Sequence, residues 1–471
     1  MATFKPLPAD ANLASPVKHL LRRAPVFVDP GATIAEAAQA MQAARVGSIL
    51  TAGEPPGIVT DRDLRGRVLA AGLAPDVPVS QVTTRPIKTI DSDAPTLAAL
   101  RLMLEENIHH LPLTEEGKII GVISSTDLLF HQGKNPLYLR GFIEALDDVA
   151  GVAHYGAEIG QLASSLFQSG LSAIHLSQIV SALNDALIKR LVALAIGKLG
   201  AAPAPFAWIV FGSEGRMEQT LLTDQDNAVI YAAESDAARV YFNALAAEVV
   251  QGLIQAGFPP CAGGFMATRW CRSLTGWQEL FRQWIGLPEP KALLDATIFF
   301  DFRAVAGDLS LESLDEIIAA AHTQKVFLAH LARAALDFFP PLGFFNRLRT
   351  DAGAIDFKKG AIAPIVGLAR VAALAAGSRE RSTLERLAVA QQTERLLTRE
   401  DANTLGELFP FLFQLRLESQ LRQLASHSPI DNQVKLDALS PVTYRHVKDA
   451  LVAIKRIQDA VRGVWQLDRL G

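Results

Sequence analysis

The sequence predicts an α+β multidomain chain, and three observations predict it. An internal duplication fills the first 130 or so residues, almost uninterrupted helical periodicity sets in after residue 135, and one buried-strand run near residue 210 precedes a pair of carboxylates. At 471 residues the chain is long for one core, and a prior of roughly 150 residues per domain gives about three globular domains. Hydrophobic residues make up 49% and charged residues 20%, a globular composition. The formal net charge of -4 offers no basic footprint for nucleic acid as the main partner.

The duplication is Gly57-Ile58-Val59-Thr60-Asp61-Arg62-Asp63-Leu64, echoed by Gly121-Val122-Ile123-Ser124-Ser125-Thr126-Asp127-Leu128. Each copy follows an acidic turn (Asp29-Pro30-Gly31, then Asp91-Ser92-Asp93) and an amphipathic helix over residues 33–44 or 97–106. A short apolar strand, 47–51 or 110–113, separates that helix from the motif strand. The predicted order over residues 15–132 is strand, helix, strand, strand, helix, twice. An aspartate at the start of a helix can accept hydrogen bonds from ribose hydroxyls while the preceding hydroxyl and backbone amides meet phosphate. Aspartate is equally a favoured helix cap, so the pair could serve association alone.

Residues 135–200 read as a helical connector, with Leu162, Leu166, Leu171, Ile174, Ile179, Leu183, Leu187 and Leu191 at three-to-five-residue spacing. It is either a plain bundle or a lever between the modules. Residues 306–471 are again helical. Starts resembling capping boxes stand at Ser382-Thr383-Leu384-Glu385 and Thr398-Arg399-Glu400-Asp401, and Val447, Leu451, Ile454, Ile457, Val461 and Val464 stripe the last helix. The most membrane-like stretch, 361–376, is shorter than the ~18 apolar residues of a spanning helix and contains Pro364 and Arg370, so it reads as a core helix. Residues 1–16 lack the apolar region of a secretory signal, and the two cysteines, Cys261 and Cys271, lack disulfide-framework spacing; a reducing cytoplasm is expected. Neither thiol is expected to bind metal, and Cys261 has no accompanying pattern of a nucleophile.

The chemistry lies in residues 201–305. Ala201-Ala202-Pro203-Ala204-Pro205 releases the chain into a buried strand over 207–211, which runs into Gly212-Ser213-Glu214-Gly215-Arg216. Backbone N–H groups at such a turn can cradle phosphate. Thr223-Asp224-Gln225-Asp226 then leads into the apolar Ala228-Val229-Ile230-Tyr231, and strand alternation puts Asp224 and Asp226 on one side. Two converging carboxylates are costly to ionise without a cation, and Mg²⁺ prefers hard oxygen ligands of this kind together with substrate phosphates. Between the strands, Cys261-Ala262-Gly263-Gly264-Phe265 implies close backbone approach near the site.

Gly212-Ser213 followed by Asp224-Gln225-Asp226 resembles the nucleotidyltransferase superfamily typified by DNA polymerase beta. The whole phrase over residues 212–227 is closer to the DUF294-type nucleotidyltransferases related to the PII-protein uridylyltransferase. The duplicated unit resembles a pair of CBS motifs, a Bateman module. The resemblance covers nearly the whole chain: CBS pair, helical connector, polymerase-beta-like α/β domain and a C-terminal helical substrate-binding-like domain.

It implies a metal site of Asp224 and Asp226 with a third carboxylate at Asp301, Asp295 being the fallback, and Mg²⁺ or Mn²⁺ as the ion. Gly212, Ser213 and Gly215 would hold the phosphates of an NTP, and Arg216 would neutralise charge developing in the displacement. Arg216 could instead pair with Glu218, and Asp301 with Arg303. Thr60, Asp63, Ser124 and Asp127 would bind AMP, ADP or ATP as a regulatory ligand. The implied enzyme moves a nucleoside monophosphate onto a small molecule or a protein, PII-like or another signalling protein, in a homodimer joined through the CBS pair, with no membrane or nucleic acid involved. The chain shows no HD phosphohydrolase pattern and no ACT-type sensor, which argues against glutamine sensing and a PII substrate. The alternatives are a non-catalytic nucleotide-sensing signal-transduction protein and a scaffold.

Overall fold

A computed structural model describes residues 15–21, 23–130, 136–221 and 224–465. Thr223 of the site motif, Asn135 at the expected start of the connector, the side chain of Val464 and most of the N-terminal segment lie outside the described residues. The chain divides into two compact units, Met1–Tyr138 and Leu139–Gly471.

In the first unit each repeat forms a three-stranded sheet. Phe27–Val28, Ser48–Thr51 and Gly57–Thr60 make one, and Ile90–Asp91, His110–Glu115 and Lys118–Ser124 the other. In both, a parallel pair is followed by an antiparallel one. The helices Ile34–Ala44 and Thr96–Glu105 cover them, the former started by a Thr33–Glu36 capping box. The predicted order therefore holds in both copies. Each copy keeps its own small core, one around Ile34, Met41, Ile49 and Val59, the other around Ala99, Met103, Leu111 and Ile123. The linkers bind the copies together: Val17 and Leu20, which precede the first repeat, are buried in the core of the second, while Val79 and Val82 belong to the first.

The second unit has one continuous core that takes in the connector, a four-stranded sheet and the C-terminal helices. The segments expected over 135–200, 201–305 and 306–471 thus share their interior. The sheet order is Arg303–Gly307, Phe206–Val210, Asn227–Tyr231, Cys271–Ser273, with antiparallel, antiparallel and parallel pairings. The connector helix Ala173–Leu199 buries Leu183, Leu187 and Leu191 and packs along the helix Asp236–Gln255. The membrane-like stretch is the helix Ala363–Ala375, buried from Pro364 onward, and among the described residues no helix is long and apolar enough to cross a membrane. Burying Arg370 within that helix requires a partner, and the partner lies in the site.

Candidate functional site

Every residue of the strand Phe206–Val210 is buried, and the strand ends in the single helical turn Gly212–Gly215. Gly212 has φ of 60°, and a Cβ there would lie 3.1 Å from Oδ2 of Asp226. A Cβ on Gly215 would lie 1.9 Å from the carbonyl oxygen of Asp301. Positive φ favours glycine at Gly212, and close approach to the Asp301 backbone requires it at Gly215. The Phe211 N–H donates to the Asp226 carbonyl at 3.2 Å, which ties the turn to the second strand.

Asp224 and Asp226 precede the strand Asn227–Tyr231 rather than lying in it. The extended segment is braced by the loop after residue 258: Gln225 bridges Pro260, the Asn227 N–H donates to the Phe265 carbonyl, and the Ala267 N–H donates to Asn227 Oδ1 at 2.8 Å. This loop packs on the carboxylate segment through those residues, whereas its glycines are approached by side chains of the loop itself, Phe265 at Gly263 and Arg269 at Gly264. It also carries Cys261 to the carboxylates. Ligand atoms of Asp224, Asp226 and Cys261 all lie within 4.8 Å of one another, the one such group among the described residues. Cys261, for which the sequence suggests no metal role, thus stands beside the carboxylates, because loop packing and not sequence spacing placed it there. Burial, with the charge of Asp224 second, pushes the Asp226 carboxyl up to about 7. Burial pushes the Cys261 thiol up to about 11, so it faces Asp226 as a neutral hydrogen-bond donor.

Asp301 is elsewhere. Fully buried, it accepts hydrogen bonds from Arg370 Nε at 3.1 Å and Nη2 at 2.6 Å, and from Arg216 Nη1 at 2.5 Å, while Arg386 Nη2 lies at 2.7 Å. Burial pushes its carboxyl up, but Arg370, Arg386 and Arg216 overcome this and hold it well below the usual carboxylate range. The structure does not bring Asp301 to Asp224 and Asp226; three guanidinium groups occupy both its oxygens. The fallback, Asp295, is buried on the helix Pro290–Phe299 and likewise outside the group.

Arg216 is committed on two sides, to Asp301 and, through Nε at 2.7 Å, to Glu218. Glu218 in turn accepts from the backbone N–H of Thr383 at 2.6 Å and its hydroxyl at 2.9 Å. Ser382 and Glu385 therefore form no capping box; the helix Thr383–Thr393 is capped by a residue of the motif turn. Thr398 does cap its helix, accepting from the Asp401 N–H. Arg303 pairs with Asp185 of the connector at 2.6 and 2.9 Å, not with Asp301, and also donates to the Glu214 carbonyl. Glu214 was not singled out by the sequence. It is 4% exposed, and burial, then Asp185 and Asp226, push its carboxyl up to about 8.

These elements enclose a cavity of about 270 Å³. Gly212, Ser213, Arg216 and Asp226 of the motif region line it together with Lys358, Arg370 and Arg416 of the C-terminal segment, and Leu331, Val366 and Phe413 add apolar lining. The three cations of the C-terminal segment had no motif to reveal them, although an arginine within the apolar run 361–376 was a signal of a buried partner.

In the first unit, Thr60 donates from its N–H and hydroxyl to Asp63 Oδ2 at 2.9 and 2.7 Å, and Ser124 does the same to Asp127 Oδ2 at 2.7 and 2.6 Å. Both aspartates thus act as capping partners, and the second pair also borders a cavity of about 460 Å³. Arg23, Arg45, Gly47, Asp61 and His110 line its rim. Burial pulls the His110 imidazole below its ordinary value, with Asp61 and Asp127 partly opposing.

Residues 157–291 match the family model described as "Putative nucleotidyltransferase DUF294", and residues 325–464 the "Putative nucleotidyltransferase substrate binding domain". Residues 17–70 and 79–134 match the CBS domain. Among curated proteins, the CBS domain-containing protein CBSCBSPB2 of Arabidopsis thaliana is 32% identical over 187 residues, and the chain spans 36% of itself and 34% of that relative. YhcV of Bacillus subtilis, also a CBS domain-containing protein, is 31% identical, over 26% of this chain and 88% of its own. A solved CBS domain protein of Pyrobaculum aerophilum, complexed with AMP, is 29% identical over 28% of this chain and 99% of its own, with a TM-score of 0.23. With both CBS repeats ahead of the two transferase regions, the chain belongs to the CBS-domain proteins that carry the DUF294 nucleotidyltransferase region and its C-terminal substrate-binding domain.

Proposed function

We propose that this chain is a divalent-metal-dependent nucleotidyltransferase that moves a nucleoside monophosphate from an NTP to a hydroxyl of a protein or small-molecule acceptor. The observation that carries the proposal is the cavity that Gly212, Ser213 and Asp226 line together with Lys358, Arg370 and Arg416. Its lining offers a carboxylate that suits a cation and cationic side chains that suit phosphates.

Asp224 and Asp226 would hold Mg²⁺ or Mn²⁺. They fit that ion, since Asp226 is hard to ionise beside Asp224 and a cation relieves the repulsion. The ion, when bound, supplies charge neutralisation at the phosphates. Gly212 lets the backbone approach the phosphates, and Ser213 offers a hydroxyl to them. Gly215 keeps the turn packed on the Asp301 backbone. Arg216 faces the cavity with two of its nitrogens already bonded, so its part is fixed positive potential rather than a free guanidinium fork. Asp301 is assigned to holding Arg216, Arg370 and Arg386 in place, not to the metal.

In the first unit, adenine nucleotides are proposed to occupy the cavity beside Ser124 and Asp127, with Thr60 and Asp63 as the equivalent pair of the other repeat. Ligand occupancy there is proposed to modulate transfer, and association of two chains through the CBS pair is tested by light scattering with and without AMP.

Incubation of the chain with each labelled NTP and cell extract tests the catalytic claim. Labelling of an acceptor by the wild type and not by Asp224→Ala/Asp226→Ala is expected; equal labelling by both would sink it. One observation favours a second reading, a nucleotide sensor without turnover: the third donor beside the carboxylate pair is a thiol. That reading predicts metal-dependent NTP binding with no labelled product for any acceptor.

A further inference from the structure

Four cationic side chains line the cavity, and their charges are balanced unequally. Arg216 and Arg370 each have a carboxylate in contact: with Arg386 they share Asp301, and Arg216 also pairs with Glu218. Arg416 is different. It is 4% exposed, yet its one hydrogen bond among the described residues runs from Nε to Oδ1 of Asn432 at 2.8 Å, and no carboxylate comes within ion-pair distance. Burial pulls its guanidinium down to about 10, partly opposed by the more distant Asp356 and reinforced by Arg216. A buried guanidinium without a counter-ion is destabilising in a folded protein, and the arrival of an anion relieves it.

Asn432, which fixes Arg416, accepts the N–H of Phe357 on its own carbonyl at 2.9 Å, at the start of the short ladder in which Gln433–Lys435 pairs with Ala354–Asp356. The next residue, Lys358, is exposed, has no ion pair among the described residues, and lines the same cavity. One side-chain amide and one backbone bond thus bring a fixed guanidinium and an exposed ammonium to the same cavity. Both line the cavity that Asp226 also lines.

We propose that Arg416 and Lys358 form a phosphate subsite of the cavity, which takes a phosphoryl group of the substrate. The proposal rests on the nucleotidyltransferase reading and deepens it. The C-terminal segment then completes the reacting site instead of only presenting an acceptor. The phosphoryl group is either the tail of the NTP or a phosphate on the acceptor, and the two are separable.

The test is calorimetric titration of the full chain, in Mg²⁺, with an α,β-methylene NTP analogue for each base, and then with phosphoserine in the presence of saturating analogue. The variants are Arg416→Met, Arg416→Lys and Lys358→Ala, with urea unfolding of each without ligand. The expected results are a loss of at least tenfold in analogue affinity for Arg416→Met, partial recovery in Arg416→Lys, and a smaller loss for Lys358→Ala. The unfolding midpoint of ligand-free Arg416→Met should equal or exceed that of the wild type, because an uncompensated charge has been removed. Unchanged analogue binding with lost phosphoserine binding would assign the subsite to the acceptor. Both affinities unchanged, or a lowered midpoint that accounts for the loss, would overturn the proposal. Failure of the wild type itself to bind any analogue would instead sink the transferase reading.

Discussion

Glu218 accepts hydrogen bonds from the backbone N–H of Thr383 at 2.6 Å and from its hydroxyl at 2.9 Å, so a residue of the phosphate-turn motif caps a helix of the C-terminal segment. The same carboxylate is bonded to Arg216, and nearly all of the cluster is buried. Removing it would uncap the helix Thr383–Thr393 and leave Arg216 with Asp301 alone. Glu218→Ala should therefore cost about 3 kcal/mol, read as a lowered urea midpoint. Glu218→Gln keeps an acceptor for Thr383 and should recover part of that loss. Equal midpoints for wild type and Glu218→Ala would show that the contact carries no stability.

Asp301 and Asp226 should respond to the same substitution in opposite ways. Asp301→Asn removes the counter-ion of three buried guanidinium groups and is expected to destabilise the chain by about 3–5 kcal/mol. Asp226→Asn relieves a carboxylate pair and is expected to leave metal-free stability unchanged or higher. Mn²⁺ affinity should follow the reverse pattern, lost in Asp226→Asn and kept in folded Asp301→Asn. Loss of Mn²⁺ binding in stable Asp301→Asn would restore Asp301 to the metal site.

Glu214 carries a pH dependence whose sign follows from its burial. Its carboxyl is pushed up to about 8 in the folded chain, against about 4.3 when unfolded, so between those values unfolding releases a proton. Stability in chelator should then fall as pH rises from about 5 towards about 8, by up to about 1.4 kcal/mol per pH unit, and level off above. Asp226, raised to about 7, adds a fall of the same sign below that pH, so Glu214→Gln should lessen the slope up to about pH 7 and flatten it from about 7 to about 8, as measured by urea midpoints across the range. An unaltered slope in the variant would assign the dependence to other groups.

What the sequence could and could not reveal follows from how far apart the partners lie along the chain. Gly212, Asp224 and Asp226 sit within one short stretch, and each CBS pair within four residues, so spacing alone brought their chemistry together. Asp301 meets Arg370 and Arg216 across separations of 69 and 85 residues, which only tertiary packing creates. From the local pattern Phe299-Phe300-Asp301-Phe302-Arg303 the nearer Arg303 was the visible partner, but it turns to Asp185 of the connector. The start at Ser382 misled for the same reason: a local capping pattern was present, and a distant carboxylate won the N–H.

Cys261 should affect which ions bind more than whether Mg²⁺ binds. Its thiol lies with the two carboxylates, and thiolate favours softer ions while Mg²⁺ is held by oxygens. Cys261→Ser is expected to keep Mg²⁺ affinity within about threefold and to weaken Cd²⁺ binding by at least tenfold, roughly the loss of a soft ligand. Competition titrations of Cd²⁺ against Mg²⁺ decide the matter. Equal Cd²⁺ affinity in both proteins would place the thiol outside the coordination sphere.

In the CBS pair, Asp127 borders the cavity together with Ser124, Arg23, Arg45 and His110. Its Oδ2 is already shared by the N–H and hydroxyl of Ser124, so a ribose would have to share that carboxylate with the cap. Asp127→Ala removes both roles, whereas Asp127→Asn keeps an acceptor for Ser124 and loses the charge. If Asp127 binds ribose hydroxyls, both variants should weaken AMP by about tenfold or more, since hydrogen bonds to a charged group contribute about 1.5–3 kcal/mol. If Asp127 is a cap alone, Asp127→Asn should bind AMP like the wild type while Asp127→Ala lowers the melting temperature. Calorimetry with AMP on the full chain, read beside thermal melts, separates the two roles.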